Sequence, residues 1–345
     1  MTQRLIDAQP TSDRAERGAA SVFSVRRGLL ALVLVSALFA IRVTAPREVA
    51  LTDALQDFIT LSISVLIESL PFVMVGIGVS VAVQLWVPQW LLFRMLPKTP
   101  VLRRAALSCL GVMLPVCECG NVPLARGLVV RGVAVPEVMT FLLAAPILNP
   151  ITIVVTYQAF GFSNGVLFCR VLGGFLIANF VGWLFSRHGR PEHLLTPSFQ
   201  ESCHRHSHPH KQDRWTEALR MFGGELNVML PALVVGAAVA GLIQVTVSRD
   251  LLLTLGRNPV WSVLALMGLA FVIAICSTVD AFFVLSLGSL FTPGAIVAFL
   301  VFGPMIDIKM LALLRTTFTA WTLILLTTVV ALLTAVIGLA VNLAF

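Results

Sequence analysis

A chain of 345 residues with 58% hydrophobic and only 12% charged residues carries too few charges to cover a soluble domain of its size, which ordinarily has about a quarter. Its mean hydropathy of +0.93 fits a surface solvated by lipid. The formal net charge of +7 sits in short basic patches beside apolar runs, which is the signature of membrane topology, so no nucleic-acid partner is expected.

In chain order, Met1–Ser24 is polar and rich in Arg, Asp, Ser and Gln, and residues 1–27 read as a disordered cytoplasmic tail. The apolar run Leu29–Val43 begins too late for an ordinary cleaved signal peptide, so residues 28–57 are expected to hold an extra transmembrane helix and a loop. A span needs roughly 20 apolar residues. Phe58–Trp86, Met139–Tyr157, Val166–Phe185, Val228–Val247, Val260–Ile275, Ala295–Leu314 and Trp321–Leu343 approach or exceed that length. Val122–Val130 and Ala281–Leu290 are too short to span alone. The expected fold is therefore an all-α polytopic membrane protein with about 8–10 membrane segments. Arg26 and Arg27, the patch Arg94–Arg104, Arg126–Arg131 and the linker arginines from Arg187 to Arg220 read as basic loops on the cytoplasmic side, with a cytoplasmic N-terminus.

Residues 187–215, with Pro191, Pro197, Pro209 and most of the histidines, form a linker between two halves, 58–186 and 216–345. The halves echo each other. Leu70-Pro71, Gly76 and Gln84 recur as Leu230-Pro231, Gly236 and Gln244, and Cys117 and Asn121 are matched by Cys276 and Asp280. Ala145-Pro146 and Asn149 are matched by Gly303-Pro304 and Asp307. Internal repeats with interrupted helices mark secondary transporters, whose sites lie where the repeats meet. Pro115, Pro123, Pro146, Pro150 and Pro304 supply the interruptions. If the segment through Leu107–Arg131 is a re-entrant hairpin, all the basic loops fall on one side and the repeats are inverted; this is the favoured topology.

Ionisable and soft side chains inside such segments mark pathways. Glu118, Asp280 and Glu68 are candidates for proton coupling. Cys117, Cys119 and Cys276 are candidate soft ligands for a transient metal contact, although buried Cys also serves as plain packing, as Cys109 and Cys169 are read. Asn121, Ser277, Asn149 and Asp307 complete the expected solute-binding set, the last two also reading as helix N-caps, and Lys309 is placed to pair with Asp307 or another carboxylate. His204, His206, His208 and His210, beside Cys203, form a second candidate metal site in a hydrated linker without a core. Six cysteines in this context are read as thiols rather than a disulfide framework. No ATP-binding loop or hydrolase motif occurs, so neither an enzyme nor a cofactor is expected.

The runs Pro115-Val116-Cys117-x-Cys119-Gly120, Ala145-Pro146-x-x-Asn149-Pro150, Cys276-Ser277-x-x-Asp280-Ala281-Phe282 and Phe302-Gly303-Pro304-Met305-x-Asp307-x-Lys309 resemble the bacterial predicted-permease family, formerly a domain of unknown function. That family includes ArsP-type efflux permeases for trivalent organoarsenicals and relatives thought to export copper or zinc. The resemblance, over Phe58 to Phe345, implies a plasma-membrane exporter driven by an ion gradient, with thiol recognition at Cys117, Cys119 and Cys276. Glu118 stands where the family usually has a small residue, which favours a cation or a proton-coupled step. The expected function is efflux of a thiophilic solute. The alternatives are a membrane-embedded metal- or thiol-handling enzyme or assembly factor, and a metal-responsive sensor or scaffold.

Overall fold

The computed structural model describes residues 53–113, 117–162, 165–189, 191–205, 214–246, 258–288 and 290–344. The N-terminal tail, the Leu29–Val43 run, Pro115, Val116, His206, His208 and His210 lie outside the described residues.

The chain is an all-α, multi-pass membrane protein. The first half comprises α1 (Asp53–Trp86), α2 (Gln89–Met95), α3 (Pro100–Met113), α4 (Glu118–Val130), α5 (Val135–Ala144), α6 (Pro150–Phe160) and α7 (Val166–Ser186). After a 3-10 turn at Pro191–Leu194 and α8 (Pro197–Arg205) come α9 (Arg214–Thr246), α10 (Pro259–Ile273), α11 (Asp280–Leu285), α12 (Pro293–Met305), α13 (Ile308–Leu314) and α14 (Ala320–Ala344). Among the described residues, α1, α7, α9, the α12–α13 stretch and α14 are long and apolar enough to cross a membrane. No strand forms among them, only an isolated bridge between Leu195 and Phe318.

The elements end where the sequence withdraws a backbone donor or supplies a cap. Proline opens α5, α6, α10 and α12, where its missing N–H is not needed. Asn149 caps α6 by accepting from Ile151 N at 2.9 Å, and Asp307 caps α13 by accepting from Met310 N at 2.6 Å. The apolar run Met139–Tyr157 is consequently two helices, broken at 145–149.

The centre is built by α1 against α9, each a long helix with an internal proline, Pro71 or Pro231. Glycine permits both close approaches onto the broken elements. A Cβ at Gly76 would overlap the Gly120 carbonyl of α4, and one at Gly236 would sit 3.1 Å from Lys309 Cα of α13. Around this centre, α5 packs between α3 and α7, and α12 packs between α10 and α14. Nearly every residue of α4, α5 and α12 is buried, and α12 is apolar all round.

Three expectations are corrected. Arg126–Arg131 is not a basic loop: Arg126 is buried within α4, where its guanidinium donates to Glu225 Oε2 at 2.9 Å and to Thr316 O and Thr317 Oγ1, both at 3.1 Å. Arg94–Arg104 is likewise largely helical, with Arg104 buried and Arg103 paired to Glu137 at 3.2 Å. The linker is not a hydrated loop throughout: Leu194, Leu195 and Phe199 are buried, and Phe199 lies under Arg126 at 4.3 Å. A bare guanidinium in low-dielectric surroundings would be costly, so the apparent loop residues are drawn into a partnered interior.

Candidate functional site

The breaks in the helices deliver polar side chains to one buried place. Cys117 is the N-cap of α4, Glu118 is its first residue, and no side chain caps that end. Cys276 and Ser277 lie in the 274–279 turn, which begins at Ala274, a non-glycine residue in the left-handed region at φ 52°. Such a conformation costs roughly 1 kcal/mol or more and persists only where surrounding structure enforces it. Asp307 and Lys309 come from the break between α12 and α13.

Cys117 Sγ, a Glu118 carboxylate oxygen and Cys276 Sγ all lie within 4.8 Å of one another. Ser277 Oγ donates to Glu118 Oε2 at 3.3 Å, Cys276 Sγ approaches the same oxygen at 4.0 Å, and Thr278 Oγ1 donates to Cys276 Sγ at 3.3 Å. The other carboxylate oxygen, Glu118 Oε1, is 3.1 Å from Lys309 Nζ, and Lys309 Nζ is 3.8 Å from Asp307 Oδ2. Lys309 is thus nearer to Glu118 than to Asp307, the partner expected from its sequence neighbourhood.

Asp280, at the start of α11, is held by Arg170 of α7 through two contacts, Nη1–Oδ1 at 3.0 Å and Nη2–Oδ2 at 2.6 Å. Thr156 of α6 accepts from Arg170 Nη1 at 2.8 Å. Arg170 was missed by the sequence reading, although an arginine inside the apolar run Val166–Phe185 is itself a signal of a buried partner. Both buried pairs, Glu118–Lys309 and Arg170–Asp280, join a residue before the linker to one after it.

Counting the buried charges of this cluster, three carboxylates (Glu118, Asp280, Asp307) face two cations (Arg170, Lys309). An uncompensated charge in such an interior is expensive, so the arrangement invites one further positive charge, a proton or a cation.

The remaining sequence candidates divide. Cys119 is completely buried but its sulfur is not one of the three convergent donors. Asn121, one turn along α4 from Cys117, is buried, and neither amide atom has a hydrogen-bond partner among the described residues. Asn149 and Asp307 serve as helix caps. Glu68 does not join the cluster; it lies exposed on the outer face of α1. His204 lies in the last turn of α8, beside Cys203, whose thiol is pushed up from its usual value by burial and is a correspondingly poorer soft ligand.

Residues 54–343 match the family described as predicted permease, ArsP_1. The chain is 36% identical over 263 residues to the "UPF0718 protein YcgR" of Bacillus subtilis (strain 168), covering 74% of this chain and 87% of that one. It is 33% identical over 270 residues to a "Putative two-component membrane permease complex subunit" of Streptococcus mutans serotype c (strain ATCC 700610 / UA159), covering 78% of this chain and 89% of that one. No solved structure matches.

Proposed function

The chain belongs to the predicted-permease family, and from that premise we propose that this membrane permease exports a thiophilic solute, a trivalent organoarsenical or a soft cation such as Cu(I) or zinc, through the Cys117–Glu118–Cys276 site. The observation that carries the reading is the convergence of two sulfurs and one carboxylate within 4.8 Å in a buried, ion-paired interior. Tetrahedral ligands around a zinc–sulfur bond of about 2.3 Å sit about 3.8 Å apart, so a contraction of an ångström or less closes the set. Thiolates are the ligands that soft metals and trivalent arsenic prefer.

Cys117, Glu118 and Cys276 are almost wholly shielded, so the solute site is closed to both sides in this conformation. Access then requires the two halves, read as inverted repeats, to part alternately around it. Arg170 fixes Asp280, which leaves Glu118 as the group that takes up a proton when solute departs: its Oε2 faces the sulfurs while its Oε1 rests on Lys309. For a monovalent cation such as Cu(I), one proton arriving as the cation leaves keeps the buried charge constant, whereas zinc requires two, and the inward proton gradient of a bacterial plasma membrane supplies the drive.

The test is solute accumulation in cells stripped of their own exporters and challenged with methylarsenite, copper or zinc. Wild type is expected to lower accumulation of one of these. Cys117→Ser and Cys276→Ser, at equal membrane levels, are expected to restore it. Variants that export as well as wild type would remove the sulfurs from the pathway.

A further inference from the structure

Helix directions show which elements close the solute site at each end of the protein. Trp86 at the end of α1 meets Trp215 at the start of α9, with ring centroids 5.4 Å apart, whereas a Cβ on Gly241 late in α9 would strike Ser62 early in α1. These two helices are antiparallel, and one end of the pair lies beside the linker. From Glu118, α4 runs toward that linker end: Gly120 lies on Gly76, Pro123 O accepts from Ser80 Oγ at 2.7 Å, and Arg131 reaches Gln84 O at 3.1 Å. Helix α13 runs the same way, from Lys309 beside Gly236 to Thr316 beside Arg126. After α4 the chain returns through α5 to the break at 145–149 and continues as α6 away from the linker end, where α11 packs against it. Gly182 of α7 lies on Thr140 of α5 and Gly174 on Ile147 in the break, so α7 returns toward the linker.

A buried arginine stands at each end of the site. Arg126 comes eight residues, about 12 Å of helix, after Glu118 on the linker side, and its guanidinium ties α4 to Glu225 of α9 and to Thr316 and Thr317 after α13. Arg170 comes four residues, about 6 Å, before Gly174, on the side of the break away from the linker. It ties α7 to Thr156 of α6 and to Asp280, which opens α11 four residues after Cys276. Both pairs join an arginine before the linker to a carboxylate after it, and the Cys117–Glu118–Cys276 cluster lies between them. Such a pair suits a seal that must also open. Matched and dry, it holds its helices together, while water entering an opened cleft solvates both charges and spares them the penalty of a stranded buried ion.

We propose that these two ion pairs are the gates of the permease: Arg126–Glu225 shuts the Cys117–Glu118–Cys276 site from the linker end, and Arg170–Asp280 shuts it from the opposite end. Both are closed here, in keeping with the shielding of the two sulfurs. The four residues are positioning residues; they set which face of the membrane the site opens to and touch no solute. This rests on the cluster being the solute's passage, so the test reads the shielding of the sulfurs and not transport. Sulfurs found dispensable for export would sink the solute reading and leave the gates to be judged by their own result.

The full chain is expressed with Cys109, Cys119, Cys169 and Cys203 changed to Ala, which leaves Cys117 and Cys276 as its thiols. A membrane-impermeant cationic thiol reagent is applied to right-side-out and to everted vesicles. A chain whose single cysteine comes from His188→Cys, at an exposed position just after α7, reports which face is the linker end. With both pairs intact, labelling should be slow from either face. Arg126→Met should raise the labelling rate at least about tenfold from the linker face alone, and Arg170→Met from the opposite face alone, since the rate follows the fraction of molecules open to that face. Glu225→Gln and Asp280→Asn break the same pairs from the other partner and should show the same sidedness, which keeps the test alive if a methionine variant fails to fold. Exchanging the charges, Arg126→Glu with Glu225→Arg, should restore the shielding. Labelling that is unchanged in variants monodisperse in detergent, raised equally from both faces, or raised from the wrong face overturns the proposal.

Discussion

The Arg170–Asp280 pair offers the sharpest energetic forecast. Both side chains are almost completely buried, with two guanidinium–carboxylate contacts at 3.0 and 2.6 Å and a third hydrogen bond from Arg170 to Thr156 at 2.8 Å. Asp280→Asn leaves a guanidinium charge stranded in the interior, and Arg170→Met strands a carboxylate. Each should cost about 3–5 kcal/mol, because removing one partner of a buried pair leaves the other uncompensated. Arg170→Met with Asp280→Asn removes both charges and should regain most of that loss, giving a coupling energy of about 3 kcal/mol, or about a hundredfold in the folded-to-unfolded ratio. Reversible SDS titration in mixed micelles, followed by circular dichroism, measures all four proteins. If the double variant is as unstable as the sum of the singles, the pair does not hold α7 to α11. If Asp280→Asn is fully stable yet loses proton dependence, Asp280 and not Glu118 carries the proton.

Other forecasts follow from single contacts. Glu118→Gln keeps the shape of the site but removes its carboxylate, so transport should lose its response to an imposed pH gradient in vesicles; an unchanged response would put the coupling elsewhere. Gly76→Val forces α1 away from the Gly120 backbone and should lower thermal stability in detergent far more than Gly78→Val, whose Cβ meets open space. Asn149→Ala removes the cap on α6 and should cost about 1 kcal/mol in the same SDS titration. Arg126→Met breaks the tie among α4, Glu225 of α9 and the turn after α13, and should speed proteolysis around α8, where Phe199 loses its cationic neighbour.

The class of fold could be read from the sequence because lipid solvation acts on composition directly: runs such as Phe58–Trp86 and Trp321–Leu343 have few physical alternatives to a buried helix. The break at Asn149-Pro150 was legible for the same kind of local reason, since the proline withdraws a donor where it stands, whereas Pro123 lies inside α4 and Pro304 inside α12, whose break comes only after Met305. Three-dimensional pairing was less legible. Asp307 and Lys309 are near neighbours in sequence, yet Lys309 reaches across to Glu118, because chain proximity says nothing of which carboxylate the helix face meets. Glu68 looked like a pathway residue on depth alone; its position on the opposite side of α1 from Val73 and Gly76 depends on which face packs against α9, a tertiary choice. Arg126 and Arg170 show the same lesson for basic residues: arginine in an apolar stretch was taken as an interface residue or passed over, whereas each has a carboxylate partner from the other side of the linker.

The central claim is that solute passes between the sulfurs of Cys117 and Cys276 beside the Glu118 carboxylate. Everted membrane vesicles under an imposed proton gradient, supplied externally with methylarsenite, Cu(I) or zinc in turn, test it most directly. The account predicts gradient-driven uptake of one of them by wild type, abolished in Cys117→Ser and Cys276→Ser and insensitive to the gradient in Glu118→Gln. Uptake that survives both serine substitutions would contradict it.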